Sequence, residues 1–306
     1  MATYLMGIDA GHSSVKVVLF DTRGNIVSVA SRHTELLPRK TRAYEEFDVD
    51  ANWENVADSI RECIESSGVD PRDIAGVGAT TYGNGGIILD RNGNVLAPGV
   101  LPQDHRGDDI LDGYRERGVF DRLNDITKAY LFFGQPGPVA RWFKEHEPET
   151  YAKIEHLLLY KSYITYRLTG VYAGDLNSYG GSAFMDLERM EFTDEMFELF
   201  GIPEMKDKVP AILDDCSSIV GRVHEEASAR TGLAVGTAVV AGMMDVLACL
   251  VGADAGGPGV FTCIAGTWSI NQTSSDTFLV KEGKSVFNMP YLHKGKSLVS
   301  RSTGAS

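Results

Sequence analysis

Four cysteines among 306 residues, Cys63, Cys216, Cys249 and Cys263, are too few and too far apart for a disulfide framework or a metal-ligand motif. Cys63 and Cys249 fall on the apolar sides of predicted helices and read as buried free thiols. No apolar run reaches the length that a bilayer requires, and the first residues lack the basic and apolar regions of a secretory leader. These absences point to a cytoplasmic protein with no membrane partner. Positive charge is also short. Lys and Arg number 29 against 42 Asp and Glu, a formal net charge of −13. Nucleic acid is therefore excluded as the expected partner, because its phosphates call for a basic face. The acidic excess reads as solvated surface. It leaves room for an anionic cofactor, since backbone N–H groups and a metal ion can hold phosphate on an acidic protein. Internal repeats and low-complexity segments are missing as well. What remains, 43% hydrophobic and 23% charged, is a globular chain long enough for two cores.

The apolar pattern is that of an α/β protein. "TYLMGIDA" and "VKVVLFD" predict two buried strands, and "NIVSVAS" a third after the Arg23-Gly24-Asn25 turn. From Trp53, apolar Val56, Ala57, Ile60 and Ile64 recur at helical spacing, with Asn52 as the cap and Gly68 as the stop. "IAGVGATT" predicts a further strand, followed by the loose "YGNGG" and a hairpin in "GIILDRNGNVLA". A meander, a helix and then another strand make a mixed sheet, not a run of βαβ units. The middle reads as helical in "DDILDGYRER", "PVARWFKEHEP", "ETYAKIEHLLL" and "KSYITYRLTG", with Pro138 in the first turn of its helix. Trp142 and Phe143, at helical spacing, read as core. Strands "SIVGRV" and "GTAVVAG" flank a helix "HEEASARTG". The second of them runs into a helix that starts near Asp245, and "GPGVFTCIAGTWSINQTSS" opens a new hairpin.

Chemistry concentrates at three turns. Asp9 ends an apolar run, and the turn Ala10-Gly11-His12-Ser13-Ser14 offers N–H groups and hydroxyls to an anion, with Gly11 supplying backbone freedom. A carboxylate beside such a turn makes sense when Mg²⁺, through water, lies between it and phosphate. An Asp capping an ordinary hairpin is the other reading. Asp245 stands at a strand-to-helix junction, where it either caps the helix or takes a proton from an attacking hydroxyl. Gly266 and Thr267 in "CIAGTWS" form a second small, hydroxyl-bearing bend that repeats the character of the first.

In chain order, "GIDAGHSSVKVVLFD", "GVGATTYGNGGIILD", "LPQDHR", "GPVARWFKEHEPETYAKI", "YITYRLTGVYAGD", "VVAGMMDVLACLVGAD" and "IAGTWS" resemble the FGGY family of carbohydrate kinases. The branch resembled most is that of L-xylulose kinase and related pentulose and polyol kinases. The resemblance implies an actin-like, ribonuclease-H-like fold, with a mixed sheet flanked by helices and an active site between two domains. It implies ATP and Mg²⁺ as cofactors and a small-molecule sugar or polyol as partner, with a homodimer among the assemblies it allows. Asp9, Gly11, His12, Ser13 and Ser14 fall on the family's first phosphate motif, where Asp9 holds Mg²⁺ through water. Gly266 and Thr267 fall on the second. Asp245 falls on the catalytic base, next to the sugar. Tyr82, Asn84, Asp104 and Arg106 match sugar-contacting loops, although local pairing of Arg106 with Asp104, Asp108 or Asp109 is an equal reading.

Departures from the family are specific. Tyr82 stands where relatives often carry Gln, Val139 where a Lys is common, and Gly83-Asn84 where glycerol kinases carry Arg-Glu, which argues against glycerol. Relatives run to about 500 residues, well beyond one domain, and the Gly-rich adenosine motif is missing. The expected organisation is therefore an N-terminal domain over 1–253 and the start of a second over 254–306. A non-catalytic sugar or nucleotide sensor on the same fold is the competing function, although a sensor would not need both Asp9 and Asp245. A dinucleotide-binding oxidoreductase fares worse, because "GVGATTYGNGG" lacks the GxGxxG spacing.

Overall fold

A computed structural model describes residues 3–257, 259–265, 268–279, 287–292 and 297–304. Strands β1 (Tyr4–Ala10), β2 (Ser14–Asp21) and β3 (Ile26–His33) form the expected antiparallel meander. Alternation sets its inner face: Met6, Ile8 and Ala10 of β1 and Val15, Val17 and Leu19 of β2 are buried. The turn between β2 and β3 closes because the Asp21 carboxylate accepts the N–H groups of Arg23 and Asn25, both at 2.9 Å. Helix α1 (Val49–Ser67) covers that inner face with Trp53, Val56, Ala57, Ile60 and Cys63. Its cap is Asp48, whose carboxylate accepts the Ala51 N–H at 2.9 Å. Asn52 does not fill that place. It lies buried in the first turn, where its side chain satisfies the backbone of Glu35. Gly68 ends α1 as expected, in the left-handed region at φ 66°.

Strand β4 (Ile74–Thr81) returns parallel to β1. Outside it come β5 (Ile219–Arg222), β6 (Ala238–Val240) and β7 (Met243–Met244), giving a seven-stranded sheet of order β5-β6-β4-β1-β2-β3, with β7 also on β4. The expected continuous run through "GTAVVAG" is broken at Gly242, which turns at φ 70°. A Cβ there would lie 2.0 Å from the Ala79 carbonyl oxygen, so only glycine allows this approach. After the break, β7 leads directly into helix α4 (Asp245–Gly252).

A second core fills the middle of the chain. Helix α2 (Pro136–His146) buries Trp142 and Phe143 there, and Phe184, Phe197 and Phe200 pack in the same cluster, together with helix α3 (Leu176–Gly181). The helix expected over "ETYAKIEHLLL" does not form as a unit. A single turn, Pro148–Tyr151, is followed by the strand His156–Leu158, which pairs with Ile87–Leu89. A short apolar run suits a buried strand as well as a helix, and the partner strand decides it. The expected hairpin in "GIILDRNGNVLA" is present beside that pairing: Asp90 N–H donates to Asn94 O at 2.9 Å and Leu96 N–H to Ile88 O at 3.0 Å, around the bridge Leu89 to Val95. The C-terminal stretch makes a separate antiparallel sheet of β8 (Thr262–Ala265), β9 (Trp268–Ser275), β10 (Phe287–Pro290) and β11 (Ser297–Gly304), in the order β8-β9-β11-β10. Among the described residues no helix is long and apolar enough to cross a membrane.

Candidate active site

Strand register brings Asp9 and Asp245 to one edge of the main sheet. Asp9 in β1 stands opposite Thr80 in β4, and Thr80 stands opposite Met243 in β7, two residues before Asp245. Asp245 is the first residue of α4, with Met244 in the cap position, so the simple cap reading does not hold. Its Oδ1 accepts the N–H of Val246 at 2.7 Å. Burial pushes its carboxyl up from 3.8 to about 6, and the charge of Asp9 adds to the rise, against the opposing hydrogen bond from Val246. Asp9 is raised too, by burial, with Lys16 across the β1–β2 ladder pulling the other way. Two carboxyls that disfavour each other's charge therefore share this edge. A cavity of ≈ 690 Å³ opens there, lined in part by Asp9, Lys16, Thr80, Met243 and Ala248.

Near Asp245 lie buried polar atoms with no partner among the described residues, Thr80 Oγ1, Tyr82 Oη and Asn84 Oδ1, and a fourth, Gln103 Oε1, belongs to the "LPQDHR" loop. An unmet buried polar atom costs about 1–3 kcal/mol, so a cluster of them marks a place shaped for a polar ligand. Tyr82 is held well above its ordinary ionisation by burial, with Tyr160 and Asp245 adding to the effect. The loop holding Asn84 takes left-handed backbone at two successive residues. Asn84 and Gly85 have φ of 72° and 71°, and a Cβ on Gly85 would lie 2.1 Å from the Val100 carbonyl oxygen. The Asn84 N–H is fixed on Ser182 Oγ at 3.1 Å.

Asp104 and Arg106 are buried and bonded within the protein. Arg106 Nε donates to Asp104 Oδ1 at 2.8 Å and Nη2 donates to Glu46 Oε1 at 2.7 Å, with the guanidinium 4.8 Å from the ring centres of both Tyr44 and Trp142. Asp104 also accepts the Glu45 N–H at 2.8 Å. The local pairing foreseen for Arg106 with Asp104 is present, with Glu46 as an unforeseen partner and without Asp108 or Asp109. Gln103, in the same "LPQDHR" stretch, carries the free polar atom instead. Sequence reasoning missed it, although its place beside Asp104 in a loop was the available signal.

The turn after Asp9 is pinned by its own backbone. Gly11 N–H donates to Ser14 O at 2.9 Å, and Thr34, just past β3, holds the turn by donating its hydroxyl to Gly11 O at 2.9 Å and its N–H to Ser13 O at 3.1 Å. The N–H groups of His12 and Ser13 take no part in these bonds, and Ser13 is exposed. Gly266 and Thr267 lie outside the described residues, while the flanking β8 and β9 form the expected hairpin. Cys249 is exposed, contrary to expectation, whereas Cys63 is buried as expected. In α4, Val246, Leu247 and Leu250 take the inner side, leaving Cys249 on the outer one.

The profile of the FGGY family of carbohydrate kinases, N-terminal domain, matches residues 4–252. The chain is similar to a probable L-xylulose kinase of Pasteurella multocida, 32% identical over 267 residues that cover 87% of this chain and 55% of that protein. It is similar to the L-xylulose/3-keto-L-gulonate kinase of Escherichia coli at 29% identity, covering 96% of this chain and 57% of that protein. Among solved structures, xylulose kinase from Rhodospirillum rubrum superposes with a TM-score of 0.91 at 25% identity, covering 99% of this chain and 61% of that one. The expected α/β fold of the actin-like, ribonuclease-H-like type is borne out by this likeness. The chain spans about half the length of the curated relatives it matches.

Proposed function

Because the chain belongs to the FGGY family of carbohydrate kinases, we propose that it carries the sugar site and general base of an ATP-dependent kinase acting on a pentulose or polyol. The observation that carries this reading is the Asp245 carboxyl, raised to about 6 beside Asp9 at an edge rich in unpartnered polar atoms. A carboxylate tuned toward neutral pH is basic enough to take a proton from a sugar hydroxyl yet ionised at pH 7. Thr80, Tyr82, Asn84 and Gln103 hold the sugar hydroxyls, each gaining the hydrogen bond it lacks in the protein alone. Arg106 and Asp104 brace that loop from behind. The likeness to L-xylulose kinases supports a ketopentose, and the loop at Gly83-Asn84 disfavours glycerol.

The donor set fits Mg²⁺, since one or two carboxylates with waters and phosphates suffice for that ion and its charge would relieve the repulsion between Asp9 and Asp245. Asp9 would hold it through water. When bound to ATP, Mg²⁺ neutralises charge on the transferring phosphoryl group. The turn Gly11-His12-Ser13-Ser14, with N–H groups of His12 and Ser13 unspent, would face the phosphates from one side, and Gly266 with Thr267 from the other. We place the domain division near residue 253, after α4, so that the cleft lies between the two sheets. Titration calorimetry with pentuloses and polyols tests the substrate class. Saturable binding of a ketopentose, weakened at least about tenfold in Asn84→Ala and Gln103→Ala, is expected. Failure of every pentulose and polyol to bind would remove the proposal.

A further inference from the structure

Two buried side chains outside the cavity grip the backbone of the residues before and after Asp245. Asn177, in α3, accepts the Met244 N–H on Oδ1 at 2.9 Å and donates Nδ2 to the Pro290 carbonyl oxygen of β10 at 2.7 Å. Gln272, in β9, donates Nε2 to the Val246 carbonyl oxygen at 2.7 Å. Pro290 and Gln272 both belong to the C-terminal sheet, so each bond ties that sheet to the residue before or after Asp245. The seam between them leaves no slack. A Cβ on Gly180 would lie 2.5 Å from Pro290 Cδ, and one on Gly181 would lie 3.0 Å from Met244 Cε and 3.2 Å from Met289 Cβ. Met244, Leu247, Met289 and Leu298 bury one another in a single apolar cluster across the same seam.

We infer that Asn177 and Gln272 are positioning residues through which the C-terminal sheet, and not the N-terminal sheet alone, sets the aim of the Asp245 carboxylate. The physical ground is the size of α4. Eight residues make a helix too short to fix its own orientation, and Gly242 leaves the preceding chain joined to β4 by two residues of β7 only. The direction of its first turn is therefore set by tertiary bonds, and two of these come from or through the other sheet. A misplacement of about 1 Å at a reacting group is enough to cost a large factor in rate. The inference rests on the reading of Asp245 as general base.

Amide hydrogen exchange of the whole chain tests the coupling without requiring turnover. In Asn177→Ala the Met244 amide is expected to exchange at least about tenfold faster, the factor that ~1.4 kcal/mol represents. Asn177→Asp keeps an acceptor for that N–H and is expected to preserve Met244 protection while amides of 287–289 loosen. Gln272→Met, which keeps the side-chain length and removes the donor, is expected to loosen 246–250 and leave Met244 protected. Amides of β1 and β2 serve as the internal control for general loosening. Unchanged Met244 protection in Asn177→Ala, or an equal rise in β1 and β2, overturns the coupling. In a sugar-phosphorylation assay, kcat is expected to fall about tenfold in Asn177→Ala and Gln272→Met, with KM for the sugar within about twofold. An unchanged kcat overturns the inference. A wild type with intact coupling in exchange but no sugar turnover, both as this chain and extended to the length of its relatives, overturns the reading of Asp245 itself, and with it the assignment of aim.

Discussion

Replacing Asp245 with asparagine should make the protein more stable at neutral pH. The folded chain holds the Asp245 proton more tightly than the unfolded one, because its carboxyl sits at about 6 instead of 3.8. The stabilising contribution is therefore complete below about pH 4 and is lost as the pH rises through about 6. At about 1.4 kcal/mol per unit of displacement, the ceiling on that loss is about 3 kcal/mol. Asp245 keeps partial contact with solvent, and screening brings the expected figure down to about 1–2 kcal/mol. Asparagine preserves an Oδ1 to accept the Val246 N–H, so the helix start keeps its bond. Urea denaturation of both proteins at pH 4.0 and pH 7.5 reads the difference. The gain should be present at about pH 7.5 and nearly absent at about pH 4. A gain of equal size at both values, or none at pH 7.5, would show that the carboxylate charge is not what burial opposes here.

Other expectations follow from the same geometry. Phosphorylation rate should rise with pH through about 6 and level off above it, and Asp9→Asn should lower the Asp245 midpoint in a carboxyl carbon-13 titration while leaving it above 3.8, because burial is the larger cause. A midpoint unmoved by Asp9→Asn would mean that the two carboxyls do not interact. Arg106→Met should destabilise the fold by about 3–5 kcal/mol, since it takes the shared guanidinium from the buried carboxylates of Asp104 and Glu46; a loss below about 1 kcal/mol would contradict the bracing role. Gly242→Ala should cost more than about 2 kcal/mol, because the backbone at Ala79 cannot move aside for a Cβ in the left-handed region. Thermal unfolding at fixed pH measures both.

Much of this architecture was legible in the sequence wherever a signal is local. The alternation in β1 and β2, the turn at Arg23-Gly24-Asn25 and the glycine stop of α1 each depend on neighbours a few residues away. Asp9 and Asp245 could be recognised singly for the same reason, as charges at the ends of apolar runs. Their meeting could not, because it depends on β4 lying between β1 and β7, a pairing between segments more than 150 residues apart. The strand at His156–Leu158 was hidden for a related reason, its partner being Ile87–Leu89. Cys249 misled because helical periodicity says which side of a helix is apolar, not whether another layer covers that side. Arg106 showed its charge but not its partner Glu46, 60 residues earlier, and Gln103 drew no notice because an amide needs no counter-charge to be explained.

The central claim is that Asp245 acts as the base in sugar phosphorylation. Its most direct test is sugar-dependent ADP formation, measured on the chain itself and on the chain extended to the length of its relatives, each with and without Asp245→Asn. Turnover with a ketopentose in at least one form, reduced more than about a thousandfold by the substitution, is the predicted result. Turnover that survives Asp245→Asn, or a lack of turnover with every pentulose and polyol in both forms, would contradict it.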